Sequence, residues 1–593
     1  MKLKRLLFTG LSILAFTACS NDDSIDEGGN SSVKADAYAS FTINLSDNLL
    51  SSRSPEQSKV DKGSEEEQKI NNVRVVLYAN GRVAKHEDFA IRSSGESFDG
   101  DGLSKSTNLS TFVTKAVEVK KQNYLVAVLV NATSDVIEKT AENRTYSELE
   151  EALENVKAED FTKDGFMMSN AQGMVNLLAS DLASNKEDAE ENPLKVQVDR
   201  VVAKVSVKTS DNLADDELAY VKAKGWIVDI TNKHTYPMRH LAPQVGGSYE
   251  VVDHKNPQNS TARAYRYAKD PNFDIINLIG KSSSERMTVL EKEFNYFDNT
   301  AFANAKEVNT DSDYVLENTF DGRKSQISQS QTTRVILKAS YLPKELKLED
   351  GDSWISYSGI PLTMDTFNES VKKALQLSWN ESVKGLTPSF TNEIKNMVFL
   401  SAYIQQLDPE LPKDKEFLDA NKHLDIVTFE NLNELQEIID AAESTEDKIA
   451  DIRLTAEQIE SIGIEFKVGL DDEAFSVSNL NFYKGGDSYY PLYIKHFAGL
   501  DDNESYGKYG VVRNNSYIIN VSKIKRPGLP MVVAPVGPTK PSVPTTPVDP
   551  KDPKPTPEDP NEPEKPINPE EIHIAYEVEI LPWLVREQTE IID

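Results

Sequence analysis

The chain has 593 residues, with 96 Asp and Glu against 65 Lys and Arg, for a formal net charge of −31. That length exceeds one domain, and the charge opposes nucleic-acid binding, which needs Lys and Arg to neutralise phosphates. One cysteine, Cys19, excludes disulfides and thiol catalysis in the folded body.

Residues 1–18 place Lys2, Lys4 and Arg5 before an apolar run from Leu6 to Phe16, then small residues up to Ala18. The run is too short to cross a bilayer, and the order is that of a secretory signal peptide. The ending FTAC resembles a bacterial lipobox, which implies cleavage between Ala18 and Cys19 and acylation of the Cys19 sulfur. The acidic, Gly/Ser-rich stretch that follows reads as a solvated spacer or as a surface-export signal.

The segment 37–45 alternates cleanly, with Ala37, Ala39, Phe41, Ile43 and Leu45 on one face and Tyr38, Ser40, Thr42 and Asn44 on the other. This predicts a half-buried strand. The polar stretch 46–67 reads as an exposed loop, where proteases cut. It contains Arg53, Lys59 and Lys62. Further strands are predicted at 71–79, 123–132, 194–209, 225–230, 333–342, 465–470, 476–483 and 511–524, with helices at 146–156 and 431–445. A cut near 210, after the long strand 194–209, gives a domain over 54–210 and another over 211–526, the latter with a helix-containing insertion at about 345–460.

Fifteen of the 28 prolines fall within residues 527–569. Proline cannot donate to a sheet ladder, so this stretch reads as a tether, with an extended reach on the order of 130 Å at about 3.1 Å per residue. Residues 570–593 follow it and carry one more alternating strand, 572–585. Its apolar face holds Ile572, Ile574, Tyr576, Val578 and Ile580, continued by Leu581 and Trp583. Such a face needs a groove, either on its own domain or in another molecule.

Enzyme signatures are missing: the sequence has no phosphate-binding G-x-x-x-x-G-K-[ST], no H-E-x-x-H and no G-x-S-x-G. No cofactor or metal site is predicted. FDGDG (98–102) lacks the spaced ligands of a calcium loop and reads as a turn. His234 and His240 have no ligand partners at metal spacing. Tyr489, Tyr490 and Tyr493 read as strand packing rather than a sugar platform.

Four segments together resemble the Bacteroidales fimbrillin family, closest to the shaft subunit of short fimbriae: AYASFTINLSDNLLSSR (37–53), VDRVVAKVSVK (198–208), VRNNSYIINVSKI (512–524) and YEVEILPW (576–583). The resemblance implies a mainly β chain of two tandem transthyretin-like antiparallel β-sandwiches, ending in a tethered donor strand. It implies a lipidated propeptide, 19–53, cut between Arg53 and Ser54 by an Arg-specific protease. Strand 37–45 would leave with it, and the donor strand of the next subunit would fill the groove. Five large apolar side chains at about 1.5–3 kcal/mol each would favour that insertion. The implied product is a head-to-tail homopolymer at the cell surface, with accessory anchor and tip subunits, an outer-membrane lipoprotein precursor, and roles in adhesion and biofilm formation. The alternatives are a minor anchor or tip subunit, and a monomeric glycan-binding surface lipoprotein.

Overall fold

The computed structural model describes residues 35–44, 61, 63–90, 104–105, 111–240 apart from 172 and 215–217, 251–252, 265–266, 268–357 apart from 275, 298 and 321–327, 359–363, 365–366, 480–496, 509–532 and 574–582. Cys19, Leu45, Arg53, Ser54, Ile572, Trp583, the FDGDG turn, the strand expected at 465–470, the helix expected at 431–445 and nearly all of the tether lie outside these residues.

The alternating segment at 37–45 forms two short strands, β1 (Ala37–Ala39) and β2 (Phe41–Asn44), rather than one. Ser40 separates them: its Oγ donates to the Thr114 carbonyl at 2.7 Å, and its carbonyl accepts from Leu194 N–H at 2.8 Å. A hairpin follows, β3 (Asn72–Ala79) and β4 (Arg82–Ala90). Its turn is Asn80-Gly81, at φ 54° and 76°, the positive pair that a two-residue type I′ turn requires. Next come β5 (Thr111–Val113), β6 (Val117–Val119), β7 (Tyr124–Val130), β8 (Met168–Asn170) and β9 (Leu194–Arg200). Seven of these strands run in the order β4-β3-β7-β8-β9-β2-β5, within a sheet of nine strands among the described residues. The first core lies on it, with Phe41, Ile43, Val126, Val128 and Val196 at 0 % exposure.

The helix expected over 146–156 stops at Glu150. Thr145 and Glu148 form a capping box at its start, but Leu153 and Thr235 then exchange backbone hydrogen bonds of 2.8 and 3.1 Å, and Val156 N–H donates to the Lys233 carbonyl. The apolar stripe is thus spent on a strand-like contact with the segment after residue 230.

The run 194–209 is likewise two strands: β9 ends at Arg200 and β10 (Ala203–Thr209) starts a new sheet. Alternation fails at Val201-Val202-Ala203, three consecutive buried apolar residues. Val202 packs in the first core and Ala203 in the second. The core therefore changes between them, ahead of residue 210.

The second core is a sandwich. One layer is β12 (Ser312–Val315), β10, β15 (Asn515–Ile524) and β16 (Ile574–Pro582) in that order; the other is β11 (Ala219–Asp229), β13 (Arg334–Pro343) and β14 (Asp487–Tyr493). Val205, Tyr517 and Ile519 meet Trp226, Leu337 and Leu492 between the layers. The sequence leads to antiparallel sheets throughout, yet two pairings are parallel: β2 with β9, and β10 with β15. Each joins segments far apart in the chain, where no hairpin forces an antiparallel return.

Candidate assembly strands

The first strand pair is enclosed on several sides. Ala37, Tyr38 and Ala39 lie opposite Val119, Glu118 and Val117 of β6. Tyr38 also exchanges backbone hydrogen bonds with Ala183, at 2.9 and 3.0 Å. Phe41 to Asn44 run parallel to Leu194–Gln197, while Thr42, Ile43 and Asn44 face Val113, Phe112 and Thr111 across the other edge. Phe41 N–H donates to Thr114 Oγ1 and Thr114 N–H returns a bond to the Phe41 carbonyl, both at 2.9 Å. The expected inward residues Ala37, Ala39, Phe41 and Ile43 are buried. Thr42, expected on the polar face, is buried too, on a strand flanked by β9 and β5, and so is Ser40, held by its bonds to Thr114 and Leu194. Taking this segment away would leave the β5 and β9 edges facing an empty slot.

The terminal strand β16 pairs antiparallel with β15 of its own chain. Ile580, Val578 and Tyr576 stand opposite Tyr517, Ile519 and Val521, each of which is at most 1 % exposed; Ile574 stands opposite Ile524 and Leu581 opposite Ser516. Val578 is half-buried against the second core. An open strand edge invites such pairing. The two candidate segments therefore occupy different places in this chain: 37–44 within the first core, 574–582 on the edge of a sheet of the second.

A third feature was not legible in the sequence. Eight residues beyond Arg53 in the sequence, Asp61 accepts from Ser516 Oγ at 2.7 Å and from Gly63 N–H at 2.9 Å, and pairs with Lys204 at 3.1 Å. Lys204 also pairs with Glu67 at 3.0 Å. Tyr314 OH donates to Glu67 Oε1 at 2.6 Å, and Arg200 Nη2 donates to the Glu67 carbonyl at 2.9 Å. Ser64, Glu65 and Glu66 are exposed as the loop reading of 46–67 expects, but Glu67, at 2 % exposure, is not: its charge is tolerated inside because Lys204 and Tyr314 meet it. Burial alone would raise the Asp61 carboxyl, but the Ser516 and Gly63 hydrogen bonds and the Lys204 charge outweigh it and hold the group below its ordinary value. Lys204 occupies an outward position in an alternating strand, where a lysine ordinarily meets water, so no local pattern marks it.

Tyr489, Tyr490 and Tyr493 are buried on β14 and pack as strand residues. His234 Nε2 lies 3.1 Å from Glu293, and His240 stacks on Tyr236 with ring centroids 3.8 Å apart. Among the described residues no group of three or more His, Cys, Asp or Glu could hold a metal ion.

The family described as "Major fimbrial subunit protein (FimA)" matches residues 39–200, ending on the last residue of β9. A second, "Major fimbrial subunit protein type IV, Fimbrillin, C-terminal", matches residues 481–589, which include β14, β15 and β16. Both ends of the chain are fimbrillin-like. Among solved structures, a fimbrilin (FimA) from Porphyromonas gingivalis W83 aligns over 94 % of this chain and 100 % of its own, at 14 % identity and a TM-score of 0.37. A fimbrial assembly protein from Parabacteroides distasonis covers 52 % and 84 %, at 13 % identity and a TM-score of 0.24. The tip fimbrial protein Mfa3 from Porphyromonas gingivalis covers 53 % and 83 %, at 12 % identity and a TM-score of 0.23. No curated protein matches the sequence.

Proposed function

We propose that this protein is a non-enzymatic shaft subunit of a cell-surface fimbria, assembled by proteolysis-triggered strand exchange. The precursor is exported, lipidated on Cys19 and cut between Arg53 and Ser54, or after a nearby lysine. Strand 37–45 then leaves, and the terminal strand of another subunit fills the vacated slot. The family matches at both ends support the fimbrial assignment, and the observation that carries the mechanism is the enclosure of β2. A strand bounded by β9 on one side and β5 on the other, with Phe41 and Ile43 fully buried, leaves on removal a slot of the shape an incoming strand needs. Main-chain hydrogen bonds along both walls would give affinity, and alternating apolar side chains register. The terminal strand is already folded against β15, so exchange requires it to leave that edge. Because the donor and the slot lie on different cores, the contact between subunits is head-to-tail and propagates as an open filament.

Replacing Arg53 by Ala tests the trigger. Under an Arg-specific protease the variant stays monomeric and retains residues 19–53, whereas the parent forms SDS-resistant oligomers. Oligomers of an Arg53→Ala subunit that keeps its propeptide would refute the mechanism.

A further inference from the structure

We propose that the clamp formed by Asp61, Glu67, Lys204 and Ser516 sets the downstream limit of propeptide removal: productive processing ends before Asp61, and the first residues of the mature subunit stay pinned between the two cores. The proposal rests on the cut-and-exchange reading and specifies which cut serves it.

Three basic residues lie within ten positions of one another, Arg53, Lys59 and Lys62. A cut after Arg53 or Lys59 leaves Asp61 in the subunit; a cut after Lys62 discards it. Asp61 is what connects this segment to β15, through Ser516 Oγ at 2.7 Å, and it shares Lys204 with Glu67. The side chains of Lys204, Asp61 and Glu67 are 14 %, 19 % and 3 % exposed, so the network is shielded from water and salt far more than a surface pair. Losing Asp61 would take one carboxylate from Lys204 and this acceptor from Ser516 Oγ, at a site shielded from water where a lost hydrogen bond is costly.

The position of the clamp gives it reach. Leu194–Gln197 form the parallel wall of the β2 slot, the same chain continues through Arg200 to Lys204, and Lys204 lies opposite Ser516 in the parallel pair of β10 and β15. β15 in turn carries the terminal strand, with Leu581 opposite Ser516. The clamp therefore stands where the wall of the acceptor slot passes into the sheet that holds the donor. Once the propeptide strand has gone, it is this segment that fixes the start of the mature chain at the seam.

The test uses two full-length variants digested with trypsin. One has Lys59→Gln and Lys62→Gln and is cut after Arg53; the other has Arg53→Gln and Lys59→Gln and is cut after Lys62. The Lys62-cut subunit is expected to melt several degrees lower and to form SDS-resistant ladders several-fold more slowly. Asp61→Ala in the Arg53-cut variant should reproduce most of the loss. Equal midpoints, or equally fast ladders from the two cuts, overturn the proposal. If neither product polymerises, strand exchange is the reading that fails, and the midpoints alone decide the clamp.

Discussion

Ser516 donates a 2.7 Å hydrogen bond to Asp61 across 455 residues of sequence, joining the segment that leads into β3 to the strand against which Ile574–Pro582 pairs. Asp61 and β16 thus converge on β15, one through a carboxylate and the other through a ladder.

That carboxylate has a pH signature. The groups facing Asp61 are Lys204 and Ser516, with Glu67, Arg200 and Tyr314 around them. Its carboxyl is held below the ordinary value, so its contribution to stability is present above the unfolded pKa of about 4 and is lost as pH falls through the folded one. Thermal midpoints measured from neutral pH downward should fall less steeply for Asp61→Asn than for the parent below about pH 4. Parallel curves would contradict this.

Asp270 carries the opposite sign. Burial, reinforced by the nearby Glu317 charge, raises its carboxyl well above the usual range, and one of its oxygens has no hydrogen-bond partner. The stability it contributes is present below the unfolded pKa and lost as pH rises through the raised one. Asp270→Asn should therefore raise the melting temperature at neutral pH, with a gain that shrinks toward acid. A lower midpoint at pH 7 would contradict it.

Arg513 and Glu317 form a pair at 2.7 Å with 0 % and 1 % side-chain exposure, and Arg513 also donates to the Tyr236 carbonyl. Removing one partner strands the other charge beside Asp270. Arg513→Met is expected to cost about 3–5 kcal/mol in chemical denaturation, and a loss below about 1 kcal/mol would show the pair to be dispensable.

Phe41 separates the precursor from the mature subunit. Phe41→Ala empties a fully buried site and should destabilise the uncut precursor by about 3–5 kcal/mol. On the proposed mechanism residue 41 leaves with the propeptide, so the same substitution should leave the processed subunit unchanged. Equal destabilisation of both forms would mean that the strand stays.

The long strands of both cores were legible because their signal is local, whereas β4, β5, β6, β8 and β12 carried no pattern that marked them. Asn72–Ala79 and Tyr124–Val130 announce themselves by β-branched residues and a bounding turn. Other features were hidden for identifiable reasons. The break at Val201-Val202 lies inside an apolar run, where strand and core crossing look alike. The helix after Thr145 was cut short by Thr235, a partner that no local pattern could supply. The parallel pairings and the Asp61 clamp depend on contacts hundreds of residues apart. The inward face of 37–44 was readable from its period, whereas the burial of Ser40 and Thr42 was not, since period gives a face and not the number of neighbouring strands.

On the proposed mechanism, residues 570–593 of one subunit complete another whose first strand has been removed. Processed protein with and without these residues should be incubated at equal concentration and resolved in SDS without heating. A ladder of resistant oligomers is expected from the intact protein and monomers from the truncated one, with the truncated subunit adding as a terminal cap when the two are mixed. A ladder of equal length from the truncated protein alone would contradict it.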